Sequence, residues 1–276
     1  MENVAIYTFF DDEFFEYGYT MIYSFIKTNP WFKGDIIILC DDGENCCLSN
    51  ENFEKVRRLY GRTILKKIDI TTYEKIFSHF PSLARRSFKA SFYKLEMLRK
   101  DNYIYKLYID ADTCFNANVE ELFNGSIADG AYGLMSRDCV SSNYSSEEIT
   151  EKTNSDYANM GFLLINGNML GDDDYEKIIE KCSTIKQDEY HNAHSFKGTY
   201  PDQDCLNELL TNIKLVPALI YDAPPHRLNR DNMEKAKILH YYGIKPWVDS
   251  GFYQSFYIWY KWYFFAMKRL KELGGR

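Results

Sequence analysis

The sequence predicts an α/β fold in which helices cover a parallel sheet. Short apolar runs alternate along the chain with segments of helical spacing, and several runs end in acidic turns. The 276 residues are 45% hydrophobic, which is enough to bury one large core. The sequence contains no internal repeat or low-complexity linker. We therefore expect one domain over residues 1–250 and a C-terminal extension over residues 251–276.

The first half shows this alternation most clearly. The apolar run at residues 4–10 ends in Asp11 and Asp12, and the helical pattern at residues 14–28 stops at an Asn-Pro pair. Further strands are expected at residues 35–40, 63–70 and 102–109, and further helices at residues 51–59 and 87–100.

The second half is less regular. Apolar segments predict strands at residues 132–136 and 161–165, and helical spacing predicts helices at residues 175–185 and 202–210. A long polar stretch at residues 141–155 is typical of a mobile lid.

Charge and cysteine usage limit the partners and the compartment. A net charge of -7 argues against nucleic acid, because no basic excess would neutralise phosphates. The seven cysteines form no Cys-x-x-Cys pair, so neither a disulfide framework nor a zinc site is expected and a reducing compartment fits best. The N-terminus has no basic segment followed by an apolar one, so a cytoplasmic location is expected.

Two carboxylates directly follow the apolar strand at residues 102–109. Asp110 and Asp112 flank Ala111 at its carboxyl end, the edge where open α/β sheets bind ligands. Hard oxygen ligands at this spacing suit Mg²⁺ or Mn²⁺ together with a diphosphate. The alternative is a strand-end turn, where aspartate is common for structural reasons.

A second candidate segment runs from His240 to Trp247. An imidazole suits Mn²⁺ as a third ligand, Gly243 permits close approach of the backbone to a phosphate, and Lys245 can neutralise that phosphate. The alternative is a loop with an incidental histidine.

Two polar clusters border apolar segments. Asn159 stands before the run at residues 162–165, and Asp202 and Gln203 open a predicted helix. Asn, Asp and Gln side chains are common readers of sugar hydroxyls. The alternative for the second cluster is an acid-rich helix N-terminus.

Together, and in this order, these four blocks resemble glycosyltransferase family 8, which includes glycogenin and bacterial lipopolysaccharide galactosyl- and glucosyltransferases. The resemblance spans residues 4–247 and implies a single Rossmann-like nucleotide-sugar transferase domain of the first main glycosyltransferase fold type. It implies that Asp110, Asp112 and His240 bind Mn²⁺ or Mg²⁺. The implied UDP-sugar contacts are Thr8, Phe9, Phe10, Asp12, Phe15, Lys94, Asp110, Ala111, Asp112, Asp138, Asn159, Gly243 and Lys245.

The resemblance also implies catalytic roles for Asp202, Gln203 and Lys245, and retention at the anomeric carbon. Retention needs either a covalent intermediate, with Asp202 as nucleophile, or front-face attack with Asp202 and Gln203 positioning the sugar, and we favour the second. The sequence departs from the family pattern by one residue, because only Ile244 separates Gly243 from Lys245.

The C-terminal extension is aromatic and basic. Residues 252–276 carry five basic residues and one acid, which is typical of a segment that contacts an anionic membrane surface. The alternative is a helix that packs on the domain or on a second copy of the chain. The extension therefore predicts peripheral contact with the inner face of the membrane, and a homo-oligomer is left open.

The resemblance to family 8 implies transfer of glucose or galactose from a UDP-sugar to a saccharide or glycolipid acceptor. One alternative is a self-glycosylating initiator like glycogenin, since the chain has 23 tyrosines that could accept sugar. Another, from a different class, is a catalytically silent protein that binds a sugar nucleotide or a partner.

Overall fold

The computed structural model describes residues 1–41, 47–80, 90–124, 133–137, 158–186, 201–210, 212–243, 245–248 and 253–274. The strands in these ranges are β1 (Val4–Phe9), β2 (Asp35–Asp41), β3 (Thr63–Ile68), β4 (Tyr105–Ile109), β5 (Thr113–Phe115), β6 (Gly133–Arg137), β7 (Ala158–Asn166), β8 (Ile213–Val216) and β9 (Ile238–His240). The α-helices are α1 (Phe15–Thr28), α2 (Asn50–Leu59), α3 (Glu74–His79), α4 (Asp174–Cys182), α5 (Pro201–Leu209), α6 (Ala218–Tyr221), α7 (Arg230–Lys235) and α8 (Tyr253–Gly274).

Seven strands form one sheet in the order β3-β2-β1-β4-β7-β6-β8, and β5 pairs with β9 in a second, smaller sheet. The first four strands are parallel, as the sequence predicts, whereas β7 runs antiparallel to both β4 and β6. The α/β class and the Rossmann-like arrangement are confirmed, but the sheet is mixed. Strand direction could not be predicted here, because a buried strand has the same apolar run in either direction.

Both faces of the sheet are covered. On β1, Ala5 and Tyr7 belong to the hydrophobic cluster on one face, while Val4 and Ile6 belong to the cluster on the other. Successive side chains of a strand point to opposite faces, so a strand buried on both sides has no polar alternation. This explains the continuous apolar runs in the sequence.

Most predicted elements are present with shifted ends. The expected strand at residues 63–70 ends at Ile68, because the side chain of Asp69 accepts a hydrogen bond from the Thr71 N–H and begins a 3-10 turn. The expected helix at residues 87–100 contains a 3-10 segment, Phe92–Leu98. The predicted lid at residues 141–155 lies outside the described residues.

The C-terminal helix α8 packs against α1 and α2. Phe256, Trp259 and Ala266 are buried on one side of it, which corresponds to the packing alternative. Its other side carries an exposed stripe, which we call the basic-aromatic face: Lys261, Phe264, Phe265, Lys268 and Lys271. No helix in the described ranges is long and apolar enough to cross a bilayer.

Cys40 at the end of β2 and Cys47 before α2 form a disulfide, with Cα atoms 4.7 Å apart. The sequence did not predict this pair, because the cysteine count is odd and the spacing matches no common motif. The chain returns to the strand end before α2, which brings the two residues within bonding distance.

Candidate active site

The carboxylates of Asp110 and Asp112 lie just beyond β4, at the carboxyl edge of the parallel strands. Asp110 donates its backbone N–H to the Gly161 carbonyl over 3.0 Å, and its Oδ1 accepts the Tyr108 hydroxyl at 2.8 Å. These bonds fix one carboxylate between two neighbouring strands, as the sequence predicts for a strand-end site.

His240 ends β9 and lies beside the same carboxylates. The pairing of β5 with β9 sets His240 opposite Thr113, and the Tyr241 N–H donates to the Asp112 carbonyl at 2.9 Å. The His240 Nε2 atom is 3.6 Å from Asp110 Oδ2 and 3.2 Å from Asp112 Oδ1. Three potential ligand atoms, one from each residue, lie within 4.8 Å of one another.

This cluster fits a divalent cation. Two carboxylates and an imidazole suit Mn²⁺ or Mg²⁺. Gly161 leaves the space for them, because a Cβ atom there would lie 2.2 Å from His240 Cε1 and 2.8 Å from Asp110 Oδ2. A side chain at this position would therefore displace the candidate ligands.

Lys245 completes the front of the site. Its ammonium donates to Asp112 Oδ2, and it lies 6.0 Å from the centre of the Trp247 ring. Burial alone would raise the pKa of Asp112, but Lys245 and His240 outweigh it and hold that pKa well below its usual range. Burial alone would lower the pKa of His240, but Asp112 and Asp222 outweigh it and raise the pKa to about 10.

Asp222 is a site residue that the sequence reasoning missed. Its Oδ1 lies 2.7 Å from His240 Nδ1, and the Asp222 side chain is 1% exposed. The available signal was an acid inside the apolar stretch at residues 215–223. That signal says nothing about a partner 18 residues further along the chain.

A buried ion pair lies behind the metal cluster. Lys94 donates from Nζ to Asp202 Oδ2 and to the Met160 carbonyl, both at 2.9 Å, and lies 5.0 Å above the Tyr108 ring. Burial lowers the pKa of Lys94, but the attraction of Asp202 and Asp110 is larger and the net pKa is raised. Lys94 therefore carries a positive charge that compensates Asp202.

The other predicted sugar-reading residues are held against β7. Gln203 Oε1 accepts the Met160 N–H at 3.3 Å, and Asn159 Oδ1 accepts the Gly161 N–H at 2.8 Å. Asn207 fastens α5 to the strand, because its side chain both donates to and accepts from the Ala158 backbone. The structure thus brings Lys94, Asn159, Asp202 and Gln203 together next to Asp110.

The sequence profile of glycosyl transferase family 8 matches residues 5–251. The chain belongs to glycosyltransferase family 8. Membership assigns it to the glycosyltransferases, and the match covers all four blocks that carried the resemblance. A search of curated proteins found no match.

Solved structures show the same fold as this family 8 chain. The galactosyltransferase LgtC, solved with donor and acceptor sugar analogs, is 18% identical with a TM-score of 0.66, over 99% of this chain and 95% of LgtC. The glycosyltransferase GlyE of Streptococcus pneumoniae is 18% identical with a TM-score of 0.63, over 100% of this chain and 64% of GlyE. Mouse xyloside xylosyltransferase 1 is 14% identical with a TM-score of 0.52, over 87% of this chain and 97% of the mouse enzyme.

The first group of predicted UDP-sugar contacts lies at and after the end of β1. The Thr8 hydroxyl is buried and has no hydrogen-bond partner among the described residues. Phe9 packs edge-on against Tyr93, with ring centroids 5.3 Å apart. An orphaned buried hydroxyl at this edge fits a polar ligand.

Three further residues of that group have structural partners. Phe10 and Phe15 are 1% and 6% exposed and belong to one hydrophobic core cluster. Asp12 Oδ1 accepts from the Ser49 N–H and from the Asn52 side chain, both at 2.9 Å, which ties the β1–α1 loop to the start of α2. Their contacts with a nucleotide stay predictions.

The segment from His240 to Trp247, predicted to contact a phosphate, contains a turn that requires glycine. Gly243 has a φ of +76°, in the left-handed region that side chains disfavour. A Cβ atom there would meet nothing within 4 Å, so the restriction is conformational. Ala111 is buried between the two aspartates. Asp138, also predicted as a UDP-sugar contact, lies outside the described residues.

Proposed function

We propose that the chain transfers a hexose, glucose or galactose, from a UDP-sugar to a saccharide or glycolipid acceptor with retention at the anomeric carbon. Asp110, Asp112 and His240 would hold Mn²⁺ or Mg²⁺. The observation that carries the proposal is the cluster of these three ligand atoms within 4.8 Å, at the strand edge of a family 8 chain.

The leaving group of this reaction is a diphosphate, which gains negative charge as the anomeric bond breaks. A bound divalent ion supplies Lewis-acid stabilisation of that charge. Lys245 supports the same role, because its ammonium contacts Asp112 and so lies beside the candidate ligands. A fixed cation aimed at developing charge lowers the barrier without reorganisation of solvent.

The sugar side favours front-face attack. Asp202 forms an ion pair with the buried Lys94 ammonium at 2.9 Å. This pairing makes the Asp202 carboxylate a weaker nucleophile than an unpaired one. In front-face attack the acceptor oxygen bonds to the anomeric carbon as the diphosphate oxygen departs from the same face, and the acceptor proton passes to that oxygen. Gln203 and Asp202 would then position the sugar.

The basic-aromatic face of α8 supports an acceptor located at a membrane surface. Lys261 and Lys268 each lie three or four residues from both Phe264 and Phe265, and Lys271 lies three beyond Lys268, so the five side chains form one stripe along the helix. Phe264 and Phe265 are 65% and 43% exposed, and three exposed lysines flank them. Exposed rings with neighbouring cations suit an anionic membrane surface, where a glycolipid acceptor would be found.

A donor screen tests the activity. UDP release is measured with UDP-glucose, UDP-galactose and their N-acetyl forms, with Mn²⁺ and with chelator. LgtC is a galactosyltransferase, so UDP-galactose is tested first. We expect Mn²⁺-stimulated release from a UDP-hexose, and loss of it in Asp112→Asn and His240→Ala. Asp231→Asn, on the exposed start of α7, is the matched control.

Metal-independent release, or normal rates in folded Asp112→Asn and His240→Ala, would contradict the assignment. Intact-mass measurement after the same incubation separates the self-glycosylating alternative. That alternative predicts mass increments of the protein itself in the absence of added acceptor.

A further inference from the structure

We propose that Asp222 is a positioning residue for the metal centre, acting through His240. The inference rests on the proposed metal-dependent function and adds a residue to it. Asp222 does not face the candidate cation position, because its contact is with the Nδ1 side of the imidazole at 2.7 Å. Asp110 and Asp112 lie on the Nε2 side of the same ring.

The backbone fixes this arrangement independently of the side chains. Ala223 forms a parallel bridge with Leu239, the His240 N–H donates to the Ala223 carbonyl at 2.9 Å, and the Ala223 N–H donates to the Ile238 carbonyl at 3.0 Å. The segment after α6 therefore runs alongside β9. This backbone pairing places the Asp222 side chain beside the His240 ring.

Solvent access differs sharply around the ring. The Asp110 and Asp112 side chains are 32% and 14% exposed, whereas the Asp222 side chain is 1% exposed. Asp110 and Asp112 can thus reach a cation and a donor, while Asp222 is buried on the Nδ1 side of the imidazole. A buried carboxylate in this place accepts the Nδ1–H, which directs the Nε2 lone pair toward the cation position and fixes the ring plane.

Metal affinity distinguishes this role from a structural ion pair. Mn²⁺ binding is titrated by electron paramagnetic resonance in the wild type, Asp222→Asn, His240→Ala and the exposed control Asp231→Asn. Loss of a carboxylate that orients a histidine ligand weakens metal binding about 10- to 100-fold. We expect that loss in Asp222→Asn, no binding at this site in His240→Ala, and wild-type affinity in Asp231→Asn.

Thermal unfolding with and without Mn²⁺ provides the second readout. A positioning role reduces the Mn²⁺-induced rise in Tm, because ligand stabilisation depends on affinity. A merely structural pair lowers Tm equally in both conditions. Mn²⁺ affinity within twofold of the wild type in folded Asp222→Asn would overturn the inference while leaving the metal site intact.

If Asp222→Asn does not fold, the hydrogen bond of the wild-type imidazole decides. With saturating Mg²⁺, the His240 Nδ1–H resonance should show the downfield shift of a hydrogen bond to a carboxylate. An Nδ1–H without that shift would overturn the inference. Absence of Mn²⁺ binding in the wild type would instead refute the metal-dependent function itself.

Discussion

Lys94 and Asp202 form an ion pair of 2.9 Å whose side chains are 4% and 7% exposed. Removing one partner would leave the other charge buried without compensation, which typically destabilises a protein by about 3–5 kcal/mol. We expect Lys94→Met to lose stability of this order. Lys94→Met combined with Asp202→Asn should recover much of it. Chemical denaturation of the single and double variants measures both effects.

The double variant also separates stability from catalysis. If Asp202 positions the sugar, the double variant should stay inactive although its free energy of unfolding recovers relative to Lys94→Met. A fully active double variant would mean that the pair serves the fold alone.

Gln203→Ala should lower turnover by more than about tenfold, equivalent to 1.4 kcal/mol of barrier, and leave UDP binding nearly unchanged. Gln203 is held by the Met160 N–H beside Asp202, on the side proposed for the sugar, so its loss should act mainly in the transition state. Steady-state kinetics and UDP titration measure the two effects. A large loss of UDP affinity at normal turnover would move Gln203 to the nucleotide side.

Gly161→Ala should weaken Mn²⁺ binding. The added methyl group would lie 2.2 Å from His240 Cε1, so either the imidazole or β7 must shift, and the ligand cluster loses its spacing. Mn²⁺ titration measures the effect. Gly61→Ala is the control, because a Cβ atom there meets nothing within 4 Å. Equal affinity in both variants would show that the site tolerates the shift.

The acid stability of the fold should depend on Glu96. This buried carboxylate accepts hydrogen bonds from Tyr175 at 2.7 Å and Arg99 at 2.9 Å and pairs with Lys66 at 3.0 Å. Burial alone would raise the pKa of Glu96, but Lys66, Arg99 and Tyr175 outweigh it and lower the pKa below its usual 4.5. The folded state therefore binds this proton more weakly than the unfolded state does.

By linkage, the stabilisation from Glu96 is fully present above about pH 4.5 and is lost as the pH falls through the lower folded pKa. Glu96→Gln should lower the free energy of unfolding at pH 7 and flatten its decline below pH 4.5. Denaturation over this pH range measures both. Glu54→Gln, which breaks an exposed pair with Arg57, should leave the pH profile unchanged, and a profile of Glu96→Gln that also matches the wild type would refute the prediction.

The sequence indicated part of this site better than the rest. Asp110 and Asp112 were predictable because a buried strand leads directly into them, and the family pattern added His240. Asp222 was not, because one bridge, Ala223 to Leu239, brings it to His240. Lys94 was predicted as a donor contact, whereas its position opposite Asp202 depends on packing between segments 108 residues apart.

The C-terminal helix illustrates the same limit. Its aromatic and basic composition predicted an interfacial segment, but composition does not say which rings are buried. Trp259 is buried against Trp247, and the Tyr260 hydroxyl donates to the Pro246 carbonyl at 2.8 Å. Deleting residues 252–276 would therefore remove the packing contacts of the segment that carries Lys245. Because such a deletion would disturb the site as well, it does not test membrane contact.

Point substitutions on the basic-aromatic face can test it. Phe264→Ser combined with Lys268→Glu changes two exposed side chains and should weaken binding to anionic vesicles at least tenfold, because it removes an exposed ring and reverses a charge that contributes about 1 kcal/mol near such a surface. Donor hydrolysis should remain at the wild-type rate, since both side chains are exposed on α8 and the hydrogen bonds described for the site involve neither of them. Co-sedimentation with vesicles of anionic and of neutral lipid, at low and high salt, measures the binding.

The control is Lys177→Glu, which reverses an exposed charge on α4 and should bind anionic vesicles like the wild type. Sedimentation of the double variant equal to that of the wild type would show that this face does not contact the membrane, and a change of oligomeric state in the same variant would assign it to contact between copies of the chain.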